Sequence, residues 1–422
     1  MKRRTFLKAS AAGAAATALA TPFSLAHAAS GSELKFIFVF NQGGYDPTRV
    51  FATEFDNGNV DMELDSELAA VGNLDFVDHA DRPSVRGFFE AYGHQSLVMN
   101  GMLVRSIAHD ICTMIAMTGN SNGTSPDWPA VLANAERGRF ILPHLVLGGP
   151  SFPGDLGVAV ARTGVAGQLD GLLSGEALSN SDIAVGGPSR PYEGIMDRYL
   201  SRRAAARADG APSAIDAQLA TDYAHSLEQS RRLKDMQYLM EFGGDGSISG
   251  AVEVAVEGLQ LGVSRCVTLA YGGAGGATGW DSHADNDATQ SQSWEALFAG
   301  LSSLMDLLAR TPGEVEATLA DETCVVVLSE MGRTPQLNVF DGKDHWPYTS
   351  AMLVGSGFQG DRVIGGFDDS YYGRGIDPSS GDVSDSSPIF SAESLGATLL
   401  AMADIDPDAY LNGIEPIEGV LL

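Results

Sequence analysis

The sequence predicts an α/β protein with a mostly parallel central sheet and helices on both faces. Stretches typical of strands alternate with amphipathic stretches along the chain, which favours parallel strands joined by helical crossovers. Residues 36–40 and 323–328 are continuous apolar runs, as expected for central strands buried on both sides. With 422 residues, the chain can form one large domain or two smaller ones.

Residues 1–28 have the pattern of an export signal. Arg3 and Arg4 open a basic segment, and an Ala-rich apolar run follows over residues 9–20. An ordinary secretory signal is the alternative, but the paired arginines and the weakly apolar run favour the twin-arginine pathway. We therefore expect the twin-arginine export machinery as a partner, a periplasmic or secreted location, and a single exported domain over residues 29–422.

The charge balance limits the classes of partner. The chain has 26 Lys and Arg against 54 Asp and Glu, a net charge of −28, and removal of the signal lowers it to −32. Such a surface repels nucleic acid and anionic lipid, so neither is expected as a partner. Adaptation to a salty environment explains the acidity equally well. No stretch reaches the roughly 20 apolar residues of a membrane helix, so no stable membrane span is expected.

The three cysteines predict buried thiols. Cys112, Cys266 and Cys324 lie in apolar surroundings, and no Cys-x-x-Cys pair is present. A disulfide framework is therefore not expected, although the compartment would permit one.

The first strand, over residues 34–40, leads into a Gly-rich loop that contains Asp46. The end of a buried parallel strand is the usual place for a binding site, so Asp46 is a candidate metal ligand. Asp before Pro47 also forms turns, which is the alternative. Residues 48–82 are polar and poorly periodic.

The other elements follow from periodicity, turn signals and apolar runs. A helical insertion is predicted over residues 192–242, on one side of the sheet and not as an independent domain. Helices are predicted over residues 85–94, 111–117, 252–261, 291–309 and 391–403, and strands over 96–101, 142–147, 264–271, 323–328 and 350–354.

His109 precedes the helix predicted over residues 111–117. The helix dipole and free amides at this position favour an anion and lower the pKa of a histidine. The alternative is a histidine that caps its own loop.

Two of the predicted site segments pair an acid with a histidine. Asp281 and His283 are two residues apart in a loop, so both can face one ion, although Asp-x-His also occurs by chance. Asp344 and His345 form the second pair. Because His109, His283 and His345 all fall in loops next to acids, we predict a divalent metal site.

A third segment follows the strand over residues 323–328. Glu330 lies just past the strand end, where α/β proteins bind ligands, and a surface or helix-starting acid is the alternative. Arg333 offers a planar fork of donors that could hold a tetrahedral oxyanion.

These motifs resemble a known family. Trp-Asp-x-His at 280–283, Ser-Glu-x-Gly-Arg-Thr-Pro at 329–335 and Asp-His at 344–345 are similar to the Tat-exported domain-of-unknown-function family 1501. That family is grouped with the alkaline-phosphatase-like superfamily, which includes sulfatases and cofactor-independent phosphoglycerate mutases. The resemblance covers nearly the whole exported chain. It implies a three-layer α/β fold and metal-dependent hydrolysis of a small anionic phosphate or sulfate ester.

The resemblance also implies roles and departures. Asp46 resembles the first metal-ligand aspartate, and Ser-Glu-Met-Gly stands where the hydrolases have Ser-Asp-His-Gly. Glu330 thus replaces an aspartate, Met331 replaces a metal-binding histidine, and His109 stands where the nucleophile would be. These changes imply one metal instead of two, or loss of esterase chemistry.

The attacking group stays open at this stage. The alternatives are a metal-activated water, His109 itself, or the nearby Ser106 or Thr113. We favour His109 as a ligand or base.

Three hypotheses follow. The first is a metallohydrolase of phosphate or sulfate esters, in which the metal polarises the ester oxygens and Arg333 offsets charge in the transition state. The metal ligands would be drawn from six residues: Asp46, Asp281, His283, Glu330, Asp344 and His345. The second is a non-catalytic metal-binding envelope or surface protein, and the third an acidic structural protein without a metal. The metal could be zinc, calcium, magnesium or manganese.

Overall fold

The computed structural model describes residues 29–163, 190–236, 248–274 and 279–422. These residues contain twelve strands: β1 (Lys35–Asn41), β2 (Glu67–Val71), β3 (Leu74–Asp78), β4 (Ser96–Leu103), β5 (His144–Val146), β6 (Val160–Arg162), β7 (Cys266–Tyr271), β8 (Thr323–Ser329), β9 (Gly332–Arg333), β10 (His345–Trp346), β11 (Tyr348–Gly355) and β12 (Arg362–Gly365).

The same residues contain eight α-helices: α1 (Pro83–Tyr92), α2 (His109–Thr118), α3 (Trp128–Ala135), α4 (Arg190–Asp209), α5 (Ala214–Met236), α6 (Ile248–Gln260), α7 (Asn286–Arg310) and α8 (Ala392–Met402).

Eight strands form one sheet in the order β12-β4-β11-β8-β1-β7-β5-β6. All neighbouring pairs are parallel except the two made by β11, which is antiparallel to β4 and β8. No helix lies between β8 and β11, and a parallel return would need such a crossover. The mostly parallel sheet predicted from the sequence is therefore confirmed, with one reversed strand.

Two hydrophobic cores make the protein three-layered. Along β1, Ile37 and Val39 point into one core, and Phe36 and Phe38 point into the other. Helices α1, α6 and α7 cover the first face, and α2, α3 and α8 cover the second. The continuous apolar run of β1 reflects burial on both sides of the sheet, as predicted.

The segment predicted as a helical insertion contains α4 and α5, which pack against each other. Residues 237–242 of that prediction lie outside the described residues. The single-domain organisation stays a prediction. All three cysteines are buried free thiols, as predicted.

Residues 48–82 are polar and poorly periodic in the sequence, yet β2 and β3 form an antiparallel hairpin there. Gly72 occupies the turn with φ 61°, a backbone conformation that favours glycine. Within the part of the chain that the structure describes, no helix is both long and apolar enough to span a membrane.

Candidate metal centre

The predicted site residues gather at the carboxyl edge of the sheet, and the topology explains why. Strands β1, β4 and β8 point the same way, so the segments that leave them meet at one edge. His109 begins α2 after β4, and Glu330 directly follows β8. Strand β10 pairs with β9 at this edge, which places His345 opposite Arg333.

Three histidine rings present Nε2 to Asp281 Oδ1, and we call these four side chains the histidine cluster: His109, Asp281, His283 and His345. The Oδ1 atom of Asp281 lies 3.1 Å from His283 Nε2, 3.2 Å from His345 Nε2 and 3.5 Å from His109 Nε2. His283 Nε2 and His345 Nε2 are 3.0 Å apart. Donor atoms of His109, Asp281 and His345 all lie within 4.8 Å of one another.

The second ring nitrogen of each histidine is already bound to an acceptor. His109 Nδ1 contacts Glu330 Oε1 at 2.8 Å, and His283 Nδ1 contacts Asp344 Oδ1 at 2.9 Å. His345 Nδ1 contacts the main-chain oxygen of Ile107 at 2.7 Å. Carboxylates and carbonyls only accept hydrogen bonds, so each Nδ1 carries the hydrogen, and in the neutral ring each Nε2 presents a lone pair.

These distances fit a tetrahedral metal ion. Ligands at about 2.0–2.1 Å from zinc lie about 3.3–3.4 Å from one another, close to the measured separations. Nε2 of His109 is buried and has no hydrogen-bond partner within the described residues. Imidazole nitrogens held from behind by an acceptor are the usual ligands of zinc. The donor set therefore fits one zinc-like ion better than calcium or magnesium, which prefer oxygen ligands.

Without an ion, the residues of the cluster and their neighbours shift the pKa values of His109 and Asp281. The adjacent carboxylates of Asp281 and Glu330 raise the pKa of His109 to about 9. This is opposite to the lowered pKa that its position at the start of α2 predicted, because two adjacent carboxylates outweigh the helix dipole. Burial raises the pKa of Asp281, but the adjacent His109 ring and the Arg333 guanidinium hold it well below its usual range.

Glu330 lies behind His109, at one remove from the convergence point. Its side chain is fully buried, and Oε1 accepts from the main-chain N–H of Gly43 at 2.8 Å as well as contacting His109. Oε2 accepts from Ser329 Oγ at 3.1 Å. In this arrangement Glu330 fixes the orientation of His109, so its predicted role as a ligand gives way to one of support. Asp344 stands in the same relation to His283.

Arg333 is also a supporting residue. Its buried guanidinium donates from Nε to the Gly44 carbonyl at 2.8 Å, and from Nη2 to the Gly43 carbonyl. Nη2 also donates to Asp281 Oδ1 at 2.7 Å, and Nη1 to the Lys343 carbonyl at 3.1 Å. The predicted contact with a substrate oxyanion is not available to this side chain, because it is buried and its donors hold Asp281 and the loops.

Asp46 lies outside the histidine cluster. Its buried Oδ2 is 3.0 Å from Lys343 Nζ and accepts from Asn286 Nδ2 at 3.0 Å. Oδ1 accepts from Thr48 N at 3.0 Å and from Thr48 Oγ1 at 2.7 Å. Burial raises the pKa of Asp46, but Lys343, Arg49 and the Thr48 hydrogen bond together more than offset it, so the carboxylate stays ionised. The predicted ligand role therefore gives way to an ion pair with the chain's own lysine. We call this set the Asp46 network: Asp46, Thr48, Arg49, Asn286 and Lys343.

Three supporting contacts were not predicted: the Ile107 carbonyl, the Ser329 hydroxyl and the Asn338 side chain. Asn338 Nδ2 donates to the His283 carbonyl at 3.1 Å, and its Oδ1 accepts from the Gly342 amide at 3.1 Å. A Cβ on Gly342 would lie 2.0 Å from the His283 carbonyl carbon, so only glycine fits there. The Asn and Gly spacing of this turn was the one usable signal in the sequence.

Comparison with protein families supports the resemblance over part of the chain. Residues 205–414, slightly less than half of the chain, match the family described as "Protein of unknown function (DUF1501)". Residues 1–20 match the TAT (twin-arginine translocation) pathway signal sequence. The predictions of twin-arginine export and of a periplasmic or secreted location are confirmed. No curated protein matches the chain.

Solved structures with a similar chain path include Ps i-CgsB in complex with k-i-k-neocarrahexaose. It is 10% identical, with a TM-score of 0.39, and the match covers 88% of this chain and 72% of the other. A Bacteroides thetaiotaomicron protein from work on glycosaminoglycan metabolism (BT33494S-sulf) is 9% identical, with a TM-score of 0.41 and coverage of 90% and 74%.

A third structure is BT4656 in complex with its substrate D-glucosamine-2-N,6-O-disulfate. It is 10% identical, with a TM-score of 0.35 and coverage of 91% and 79%. TM-scores this low do not establish a shared fold. The fold class is therefore assigned from the strand order and the two cores described above.

Proposed function

We propose that this protein is an exported metal-dependent hydrolase of phosphate or sulfate esters. The observation that supports the proposal is the grouping of three imidazole Nε2 atoms within 3.5 Å of Asp281 Oδ1, at separations that ligands of a tetrahedral ion would have. The cluster is partly exposed at the carboxyl edge of the sheet, where a small ester can reach it. A metal with a purely structural role would have no need of this access.

The four cluster residues would hold the ion. A bound divalent ion of this kind polarises ester oxygens and lowers the pKa of water, which is the chemistry that ester hydrolysis requires. Its positive charge would also offset the repulsion between an anionic ester and an acidic protein surface.

The residues around the cluster fix its geometry before any substrate arrives. Glu330 holds His109 in one orientation and tautomer, and Arg333 holds Asp281 through a buried hydrogen bond at 2.7 Å. A cluster held by such buried contacts needs little reorganisation during a reaction. The glycines at 43 and 44 let the main chain approach Asp281 and Arg333 closely.

The direct test combines metal content with hydrolysis. Purified protein without the signal should bind a stoichiometric ion and release phosphate or sulfate from aryl phosphate or aryl sulfate esters. Asp281→Ala and His345→Ala should lose both properties. His94→Ala is the matched control, because His94 is exposed and precedes β4 at the opposite edge of the sheet. Full hydrolysis by either cluster variant would refute the proposal.

One observation favours a second candidate, a non-catalytic metal-binding envelope or surface protein. The cluster supplies four protein donors, the number found in closed structural zinc sites, whereas catalytic sites keep a position open. The predicted hydroxyl nucleophiles are also engaged, since Thr113 Oγ1 donates to the His109 carbonyl and Ser106 Oγ accepts from the Ala108 amide. A bound ion, no hydrolysis across an ester panel, and a lower Tm on chelation would favour this candidate.

A further inference from the structure

The proposed hydrolase needs a free position on the ion, yet four protein donors surround it. We infer that His283 is the exchangeable donor and that His109, Asp281 and His345 are the permanent ones. This inference takes the proposed function as its starting point. It depends on how each donor is held from behind.

The three permanent donors are anchored by buried or main-chain groups. His109 is held by Glu330, whose side chain is 0% exposed and is itself fixed by the Gly43 amide. Asp281 is held by the buried guanidinium of Arg333 at 2.7 Å. Moving either donor would break a charge-assisted hydrogen bond inside the protein, and the abandoned partner would remain buried without water.

His345 is anchored differently but as firmly. Its Nδ1 contacts the Ile107 carbonyl at 2.7 Å, and its main chain pairs with Arg333 in the β9–β10 ladder. The Ile107 carbonyl therefore fixes the ring, and the β9–β10 pairing fixes the main chain that carries it. Both contacts break only if the loops themselves move.

Among the described residues, the partner that holds the His283 ring from behind is solvent-exposed. Its Nδ1 contacts Asp344 Oδ1 at 2.9 Å, and the Asp344 side chain is 59% exposed. The His283 side chain, at 47%, is the most exposed of the four donors. If the ring turns away, both it and Asp344 gain water as a partner, so the exposed pair costs little to break.

The backbone of His283 does not share this freedom. The Asn338 side chain donates to its carbonyl at 3.1 Å, and the Gly342 main chain packs directly against it. Movement is thus confined to the side chain, which can leave the cluster and return without any rearrangement of the loop.

The test reads metal occupancy and not hydrolysis. His283→Gln, His345→Gln and His109→Gln are loaded with zinc and dialysed against a weak chelator, and zinc is counted per chain. We expect His283→Gln to keep one ion and the other two to lose it. Loss of zinc by His283→Gln to the same degree as by His345→Gln would overturn the inference.

A second pair of variants changes residues behind the donors to isosteric amides, which reduces the risk of misfolding. Loss of an outer hydrogen-bond partner typically weakens metal binding about 10–100-fold. The zinc affinity of Asp344→Asn should decrease about 10-fold or less, and that of Glu330→Gln about 100-fold, measured by competition with a chelator. Equal losses in the two variants would contradict the inference.

The outcomes separate this inference from the proposed function. A protein that shows the expected zinc pattern but hydrolyses no ester keeps the inference and loses the hydrolase. A hydrolase whose three histidine variants lose zinc equally keeps the function and loses the exchangeable donor.

Discussion

The histidine cluster and the Asp46 network lie side by side at the same edge of the sheet, yet they handle charge in opposite ways. In the Asp46 network the carboxylate meets Lys343 Nζ at 3.0 Å and Arg49 Nη1 at 3.7 Å, and all three side chains are buried. In the histidine cluster a partly exposed carboxylate meets three imidazole Nε2 atoms. The two regions are joined where the Lys343 amide donates to the Ser282 carbonyl at 3.0 Å.

The difference indicates which of the two regions a bound ion would complete. The chain supplies its own cations to Asp46, so that network is complete as it stands. In the histidine cluster, His283 Nε2 and His345 Nε2 lie 3.0 Å apart, and the lone pairs of two neutral rings at this distance repel one another unless a cation lies between them. Asp46 and Asp281 are therefore similar as candidate ligands in the sequence but differ in role, because different side chains surround them in the structure.

The largest expected effect is in the Asp46 network. Lys343→Met removes one partner of a buried ion pair and leaves Asp46 without its closest cation, which typically costs about 3–5 kcal/mol. Urea unfolding should show this loss in the free energy of unfolding, with and without a chelator. A loss below about 1 kcal/mol, or one that appears only with metal present, would remove the distinction between the two regions.

The histidine cluster should behave in the reverse manner. Zinc at about 100 times its Kd should stabilise the wild-type protein by about 2.7 kcal/mol, since only the folded state holds the four donors together. His345→Ala should unfold like the chelated wild type at every zinc concentration. A zinc-dependent rise in the Tm of His345→Ala equal to that of the wild type would contradict the assignment.

A smaller effect tests a buried histidine that lies in neither region. His144 is fully buried on β5, its Nε2 contacts Thr268 Oγ1 at 2.8 Å, and burial lowers its pKa to about 3. Its ordinary pKa in the unfolded chain is about 6.5, so the unfolded state takes up a proton first as the pH falls. The stability it contributes is therefore complete above pH 6.5 and is lost progressively below it.

The change between pH 6.5 and 5.5 should be about 1 kcal/mol for this one group. His144→Gln cannot titrate, so its free energy of unfolding should fall by that much less than the wild type over the same interval. Urea unfolding in chelator at the two pH values measures the difference. Parallel pH profiles for the two proteins would show that His144 is not buried as a neutral ring.

Much of the fold follows from local patterns in the sequence. The apolar runs of β1 and β8 predicted buried parallel strands, and the helix predicted over residues 291–309 is found as the longer α7, Asn286–Arg310. The alternation of side chains does not reveal the direction of β11, because it is the same in parallel and antiparallel strands. The lack of a predicted crossover helix before β11 was the one signal of its direction.

The site was predictable in its members more than in their roles. Strand ends brought His109, Asp281, His283 and His345 to the same edge, as sequence position suggested. Glu330 turns inward toward His109, and Lys343 is buried against Asp46. Both features depend on contacts between distant segments of the sequence, which are almost 300 residues apart for Lys343 and Asp46. Lysine is seldom buried, so composition gave no reason to expect it as the counter-charge of a candidate ligand.

The central claim is that the histidine cluster holds one divalent ion. Elemental analysis of the purified exported protein, beside His345→Ala, tests it most directly. We expect about one zinc per chain in the wild type and none in the variant. A wild-type protein without a stoichiometric metal after zinc loading, or a variant that retains the same content, would contradict it.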